Sequence, residues 1–507
     1  MEVLRNKLSA FQFHLILNIV FGVFITLSSY IYTPISSFKD FILYVCHFLL
    51  QQFCCFGFLY ILSLNRFVFK ICFPILFIVL SIASFWAFTM DISFSDGIVQ
   101  ATIETKPDIV LDLISIPLIL FVIISVVIVL FILKLYSNLE TKKNNILLLI
   151  FAVIAIAMLF IVDKTRSRTL SSRLPFNVFF ELVNYFNKSD YSYSKINTKI
   201  NADNKNLNVY LILGESVRAD HFSLNGYSRL TNPLLAQQQN LISFSNAYTS
   251  FTYTAGSIPQ ILSNKSVYDS IKNARNYNII NILNQSGIET FWIGNQTPEK
   301  SYNNFINDCK NRLLIDPLHS VFSYNKKSDL ALLQYLPNVQ NRKGNVFSIF
   351  HTIGSHWYYE NRYTKEFRKF CPTITSKNIP SNTRQEMINS YDNTIVFLDY
   401  FLNKFIEKVK SKNENAIILY VSDHGELLGE NGKWLHGLSG NEKGPRNPAV
   451  LFWYSDIFKE KYPNEIKFLE SKQKKQFTLD AVYHTILDLY KIETSYYNKK
   501  ESLLYNN

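Results

Sequence analysis

Five apolar runs fill the first third of the chain, at Phe11–Ile31, Phe41–Leu64, Phe67–Phe88, Leu111–Leu133 and Ile146–Val162. Each approaches the ~20 residues a helix needs to cross a bilayer. Lipid offers no partner to an unpaired backbone group, so such runs commit this part of the chain to helices. The first run is too long for the apolar core of a cleaved signal peptide. It also lacks a small-residue cleavage site, and it reads as a retained anchor.

Lysine and arginine set the orientation. Arg5 and Lys7 precede the first run, Arg66 sits between the second and third, and Lys142 and Lys143 lie between the fourth and fifth. The stretch from Thr89 to Asp108 is instead acidic, with Asp91, Asp96, Glu104 and Asp108. These charges predict a cytoplasmic N-terminus and an outer face after the fifth run. Lys164, Arg166, Arg168 and Arg173 follow that run and oppose the rule locally. On an outer surface they suit lipid phosphates. Leu174–Asn187 is rich in Phe and Leu and too short to span. It predicts an interfacial helix, with a first packing helix of the polar part as the alternative. Ser189–Asn206 reads as a linker. The expected domains are residues 1–163, a membrane part; 164–206, interfacial helix and linker; and 207–507, a folded polar domain.

The net charge of +12 suits an anionic partner, either nucleic acid or an anionic lipid. The membrane runs favour the lipid and argue against nucleic acid. Of the six cysteines, only Cys309 and Cys371 lie in the polar part. Outside the cytoplasm these two could form one disulfide.

From Asn208 onward, short apolar strands alternate with helices. Strands are predicted at Val209–Leu213, Ile242–Ala247, Ile288–Ile293, Val346–His351, Ala416–Val421 and Ala449–Trp453. Helices are predicted at Ile279–Gln285, Tyr391–Val409 and Leu479–Tyr490. This alternation implies an α/β domain with a mainly parallel sheet covered on both faces. In such sheets, chemistry gathers at the carboxyl ends of the strands. Asp423-His424-Gly425 follows one strand, Gly214-Glu215-Ser216 a second, and His351 through His356 a third. His436 lies in a loop downstream, and Ser250 through Pro259 is rich in hydroxyls. Carboxylate and imidazole donors suit zinc. Asp423 as an ordinary helix cap, with His424 on the surface, is the competing explanation.

Taken together, Gly214-Glu215-Ser216-Val217-Arg218-Ala219-Asp220-His221, Thr254-Ala255-Gly256-Ser257-Ile258-Pro259, His351 through His356, Tyr391-Asp392-Asn393, Ser422 through Glu426 and the run to His436-Gly437 resemble the phosphoethanolamine transferases of Gram-negative inner membranes. That family lies within the alkaline phosphatase and sulfatase superfamily, and a five-helix membrane domain also fits it. The resemblance implies a periplasmic catalytic domain. It implies Glu215, Thr254, Asp423 and His424 as zinc ligands, with Thr254 as nucleophile. His356 and His436 would be phosphate-side histidines able to hold a second zinc. Thr252, Asn295, Lys300 and His351 would contact the phosphoethanolamine group. The implied donor is phosphatidylethanolamine, and the implied acceptor is lipopolysaccharide, on a core sugar or on lipid A. Ser250 and Gln260 stand where one branch places a disulfide around the nucleophile, so that loop is expected to be held by packing and metal alone. Two alternatives remain: a phosphoglycerol transferase of the lipoteichoic acid or osmoregulated-glucan type, and an inactive membrane scaffold.

Overall fold

The computed structural model describes residues 8–505, apart from 34, 93, 105–111, 140–145, 166–168, 188–192, 197–198, 203–205, 265–275, 297, 316–327 and 437–441. Arg5, Lys7, Asp108, Lys142, Lys143, Arg166, Arg168 and Gly437, named above, lie outside the described residues. The chain forms two compact units. One comprises Met1–Val99, Ile114–Lys188 and Asn378–Ser381, and the other Gln100–Leu113, Ser189–Lys377 and Asn382–Asn507.

Among the described residues of the first unit, five helices are long and apolar enough to cross a membrane: Ala10–Ser29, Phe38–Ser63, Arg66–Met90, Ile116–Ser137 and Ile146–Thr165. The fourth begins five residues after the expected Leu111. Ser115 caps it by accepting the Leu118 N–H, and Pro117 fits the first turn, where no N–H is needed. The helices pack through Phe13, Phe21, Phe69, Phe73, Phe77, Ile132 and Leu159. The helix Phe176–Asn187 joins this same unit. Phe176, Phe179 and Phe180 pack on that cluster, while Val183 and Phe186 on the other side are exposed.

The second unit is built on a seven-stranded sheet. In chain order the strands are β1 (Asn208–Gly214), β2 (Leu241–Phe244), β3 (Ala247–Tyr248), β4 (Glu289–Gly294), β5 (Asn311–Leu314), β6 (Val346–His351), β7 (Ala416–Ser422), β8 (Leu427–Leu428), β9 (Trp434–Leu435), β10 (Val450–Tyr454) and β11 (Phe477–Thr478). The sheet order is β2-β10-β7-β1-β6-β4-β5. All neighbours run parallel except β10, which is antiparallel to β2 and β7. Every residue of β1, β6 and β7 is buried. The two faces explain why these strands read as continuous apolar runs rather than alternating ones. Val209, Leu211, Leu419 and Ile349 face a core shared with the helices Ile279–Gln285 and Ala481–Leu489. On the opposite side Tyr210 and Phe350 meet Phe405 of the helix Arg384–Lys410, with ring centroids 5.6 and 4.9 Å apart.

That long helix starts seven residues before the expected Tyr391. Thr383 and Glu386 form a reciprocal capping box at its start, and Lys408 and Lys410 favour the negative end of its dipole. Cys309 is buried, Cys371 is exposed, and both are free thiols, so the two do not form the disulfide considered from sequence.

Candidate active site

The register of the central strands assembles the site. Leu213 of β1 lies opposite His351 of β6 and Val421 of β7, so Glu215, the His351–His356 loop and Asp423-His424 all leave the sheet at one edge. No helix follows Asp423. Asp423 and His424 are both buried, which excludes the surface-cap explanation.

Two groups of donors share Glu215. In one, ligand atoms of Glu215, Asp423 and His424 lie within 4.8 Å of one another, and in the other those of Glu215, His356 and His436 do the same. His424 Nε2 is 3.3 Å from Glu215 Oε1 and 3.4 Å from Asp423 Oδ2. His424 Nδ1 donates to the Gly425 carbonyl at 2.8 Å, which turns the Nε2 lone pair towards the carboxylates. Asp423 Oδ1 accepts the backbone N–H groups of Ser216 and His424, while the buried Oδ2 has no hydrogen-bond partner. An orphaned carboxylate oxygen facing an imidazole nitrogen is a donor set suited to a cation.

The electrostatics agree. Burial opposes ionisation of Glu215, yet His424, then His356 and His436, hold its carboxyl well below the usual range. Burial, reinforced by the Glu215 charge, pushes Asp423 up to about 7. Burial disfavours the charged form of His424, but Asp423 and Glu215 lift it to about 10. The two buried carboxylates thus favour a positive charge at this point of the site. Burial lowers His356 to about 4, and its Nδ1 donates to the Trp357 carbonyl at 2.7 Å, leaving Nε2 as a lone-pair donor.

Thr254 enters this cluster from the side. It is the first residue of the helix Thr254–Leu262, and its hydroxyl donates to Glu215 Oε2 at 2.9 Å, with His424 Nε2 at 3.4 Å. A helix N-terminus favours anionic charge beside it. The loop before Thr254 is held by more than packing and metal. Thr249 Oγ1 bonds to the Phe251 carbonyl and to Gln260 Oε1, each at 3.1 Å, and Arg446 donates to the Ser250 carbonyl at 2.6 Å. Hydrogen bonds take the place of the missing covalent staple.

Thr252 is buried two residues before the nucleophile candidate, and Lys300 is exposed on a turn ahead of the helix Asn303–Asp308. His351 is buried at the end of β6, with its ring edge-on to Trp292 and Tyr302 at 5.6 and 5.4 Å. Asn295 follows β4, and its amide donates to Asp329 at 2.8 Å.

A family model described as Sulfatase matches residues 207–492. The chain belongs to the sulfatase family. A second model, described as Phosphoethanolamine transferase EptA/EptB, matches residues 52–189 and places the chain in the phosphoethanolamine transferase branch of that superfamily. Phosphoethanolamine transferase EptA of Escherichia coli strain K12 is 30% identical over 324 residues, 60% of this chain and 56% of that protein. The match thus spans little more than half the length of this curated relative. The integral membrane lipooligosaccharide phosphoethanolamine transferase A of Neisseria meningitidis superposes with a TM-score of 0.85, covering 98% of this chain and 99% of that one, at 24% identity, a likeness of fold. The solved soluble domain of the Neisseria meningitidis enzyme is 30% identical, with a TM-score of 0.57, and covers 62% of this chain and 98% of that one.

This sulfatase-family site rests on residues that sequence reasoning did not single out. Glu426, fully buried, accepts from His436 Nδ1 at 3.0 Å; its place two residues after His424 was the available signal. Asp329 accepts from Asn295 and from the backbone N–H groups of Ile353 and Gly354, at 2.8, 2.9 and 3.0 Å. Asp329 thereby ties the loop after β4 to the loop after β6. Burial pushes its carboxyl up even so. Arg362 donates from Nε to the His356 carbonyl at 2.7 Å and from Nη2 to Asp112 Oδ2 at 2.9 Å, and both side chains of that ion pair are 3% exposed.

Two expected outcomes follow from this framework. Gly354 has φ +58°, and a Cβ there would meet the Glu215 backbone O and N at 2.7 and 2.8 Å. Gly354→Ala is therefore expected to displace Glu215 and to lower stability by about 1–3 kcal/mol. Metal titration and thermal unfolding of the full chain measure both effects, and unchanged metal affinity would detach Glu215 from this loop. Asp112→Ala removes a buried carboxylate paired with the Arg362 guanidinium, at an expected cost of about 3–5 kcal/mol. Denaturant unfolding in detergent reads that loss, and wild-type stability in the variant would refute the pairing.

Proposed function

We propose that the protein transfers phosphoethanolamine from phosphatidylethanolamine to lipopolysaccharide, on a core sugar or on lipid A, through a phosphoethanolamine–threonine intermediate. The observation that carries the reading is the Thr254 hydroxyl, which opens a helix 2.9 Å from Glu215 and 3.4 Å from His424 Nε2. Glu215, Asp423, His424 and Thr254 would hold zinc, whose ordinary donors are carboxylate, imidazole and alkoxide or water oxygen. Zinc bound there would favour the alkoxide form of the threonine and offset charge gathering at phosphorus. His356 and His436, which share Glu215, offer a second position for zinc or for the transferred phosphoryl oxygens.

The protein's own groups account for the protons. Thr254 Oγ1 attacks phosphorus while its hydrogen passes towards Glu215 Oε2, 2.9 Å away. The phosphorus–oxygen bond to diacylglycerol breaks, and the leaving alkoxide takes up a proton. His436 is the donor in this scheme: Glu426 accepts from its Nδ1 and orients the ring. In the second half, a phosphate or sugar hydroxyl of the acceptor attacks phosphorus and gives its proton back to His436, while the phosphorus–oxygen bond to Thr254 breaks and Thr254 regains its hydrogen from Glu215. We place Thr252, Asn295, Lys300 and His351 around the phosphoethanolamine group. The unit carrying them is assigned to the periplasmic side of a bacterial inner membrane, where both lipids are within reach. Attachment to that surface raises the effective concentration of the site at its substrates.

The test uses purified full-length protein and vesicles of head-group-labelled phosphatidylethanolamine or phosphatidylglycerol. Label on the peptide containing Thr254, with release of diacylglycerol from phosphatidylethanolamine, is the expected result. Label from phosphatidylglycerol alone would establish the phosphoglycerol alternative, and label from neither would overturn the transferase reading.

A further inference from the structure

Glu215 belongs to both donor groups, so the rotation of its carboxylate matters to each. The Thr254 hydroxyl holds Oε2 at 2.9 Å. Oε1 is held by the next residue in the chain: the Ser216 hydroxyl donates to it at 3.0 Å. The lone pairs of the same hydroxyl face His436 Nδ1 at 3.4 Å, on the N–H that Glu426 accepts. Ser216 also gives its backbone N–H to Asp423 Oδ1 at 3.2 Å. One residue thus touches Glu215, Asp423 and His436, and so bridges the two groups.

Side chains of consecutive residues in a strand point to opposite faces and do not meet. Ser216 comes just after β1 and has φ +60°, and its Oγ returns to the carboxylate of the residue before it. Among the described residues, it is the only buried non-glycine residue with positive φ. Such a conformation persists only where the surroundings enforce it. Tyr391, fully buried on the helix Arg384–Lys410, does so here. Its hydroxyl donates to the Ser216 carbonyl at 2.7 Å and accepts the Arg218 N–H at 2.9 Å, closing the turn around Val217. The Val217 N–H is taken by Ser422 Oγ at 2.8 Å, at the end of β7.

Resting on the assignment of Glu215 as a zinc ligand, we infer that Ser216 is a positioning residue for the metal cluster. Its hydroxyl fixes the rotation of the Glu215 carboxylate, with Oε1 towards His424 and Oε2 towards Thr254. The role is greatest when Thr254 carries the phosphoryl group. Thr254 then has no hydrogen to donate, and Ser216 is the hydroxyl that still holds Glu215. A metal ligand that loses its supporting hydrogen bond binds the ion about 10–100-fold more weakly.

The test is the zinc affinity of the full-length protein, measured by competition with a chelator, beside thermal unfolding of the metal-free protein. Ser216→Gly removes the hydroxyl and adopts positive φ without strain. It should bind zinc about 10–100-fold more weakly, yet unfold without metal within about 3 °C of the wild type. Ser216→Ala should show the same loss of affinity. Ser216→Thr keeps the hydroxyl but places a branched Cβ at positive φ, so it should unfold at a lower temperature and bind zinc nearly as the wild type does. A purely structural role would instead move affinity and unfolding temperature together. Unchanged affinity in Ser216→Gly and Ser216→Ala, or affinity that tracks unfolding temperature across the three variants, would overturn the inference. A wild type that binds no zinc would remove the metal reading and this inference with it. A zinc-binding wild type whose Ser216 variants bind equally well would remove this inference alone.

Discussion

Thr254→Ala eliminates the covalent adduct and lowers turnover by roughly a thousandfold or more, while Thr254→Ser retains measurable activity. The serine variant keeps an oxygen at the place where Thr254 meets Glu215 and His424, and loses only the methyl group that restricts its rotamer. Thr252 is the internal control. It lies two residues away in the same hydroxyl-rich loop, is buried, and does not begin the helix. Thr252→Ala should be impaired yet still form the adduct. Peptide mass spectrometry after incubation with phosphatidylethanolamine locates the modified residue. An adduct on Thr252, or full turnover in Thr254→Ala, would remove the two-step scheme.

Asp423→Ala and His424→Ala should each reduce bound zinc from about one ion per chain to near zero, with loss of activity. The reason lies in how few groups complete the cluster. Removing Asp423 deletes the orphaned Oδ2 and the acceptor of two backbone N–H groups. Removing His424 takes away the imidazole and leaves the Glu215 and Asp423 carboxylates buried without the group that offsets their charge. Elemental analysis of purified variants reads the metal directly. Thermal unfolding with and without chelator provides the second readout: the wild type should lose stability on chelation and the variants should not respond. Zinc retained at wild-type levels in both variants would dismiss this site as the metal centre.

Much of this architecture was legible in the sequence because its signals are local. The apolar runs mark the helices to within a few residues, and β6 and the helix Ile279–Gln285 coincide with their expected bounds. Glu215, Asp423 and His424 were visible because each follows a strand whose burial makes it almost wholly apolar, whereas Thr254 and His436 stood out only through the family resemblance. What escaped depends on chain folding rather than on neighbours. β5 is a half-buried edge strand, Asn311–Leu314, with neither an apolar run nor an alternating pattern. Asp329 precedes no recognisable motif; its importance arises only where the loops after β4 and β6 converge on its carboxylate. The fate of Cys309 and Cys371 was undecidable from spacing, because pairing needs proximity and the fold buries one thiol while exposing the other. The support of the nucleophile loop was misjudged for a similar reason. Arg446 reaches the Ser250 carbonyl from 196 residues away.

The segment Gln100–Leu113 belongs to the catalytic unit although two apolar helices separate it in sequence from the rest of that unit. Asp112 is synthesised 250 residues before the arginine it neutralises. A nascent chain must therefore hold that carboxylate in waiting until the later segment has been delivered to the same side. A recombinant fragment beginning at Ser189 would carry the sheet, the ligand residues and Thr254 but not Asp112. In such a fragment Arg362 loses the Asp112 carboxylate, and Arg362 is the residue that donates to the His356 carbonyl. Excised catalytic fragments are thus expected to report the metal cluster faithfully and the placement of His356 poorly.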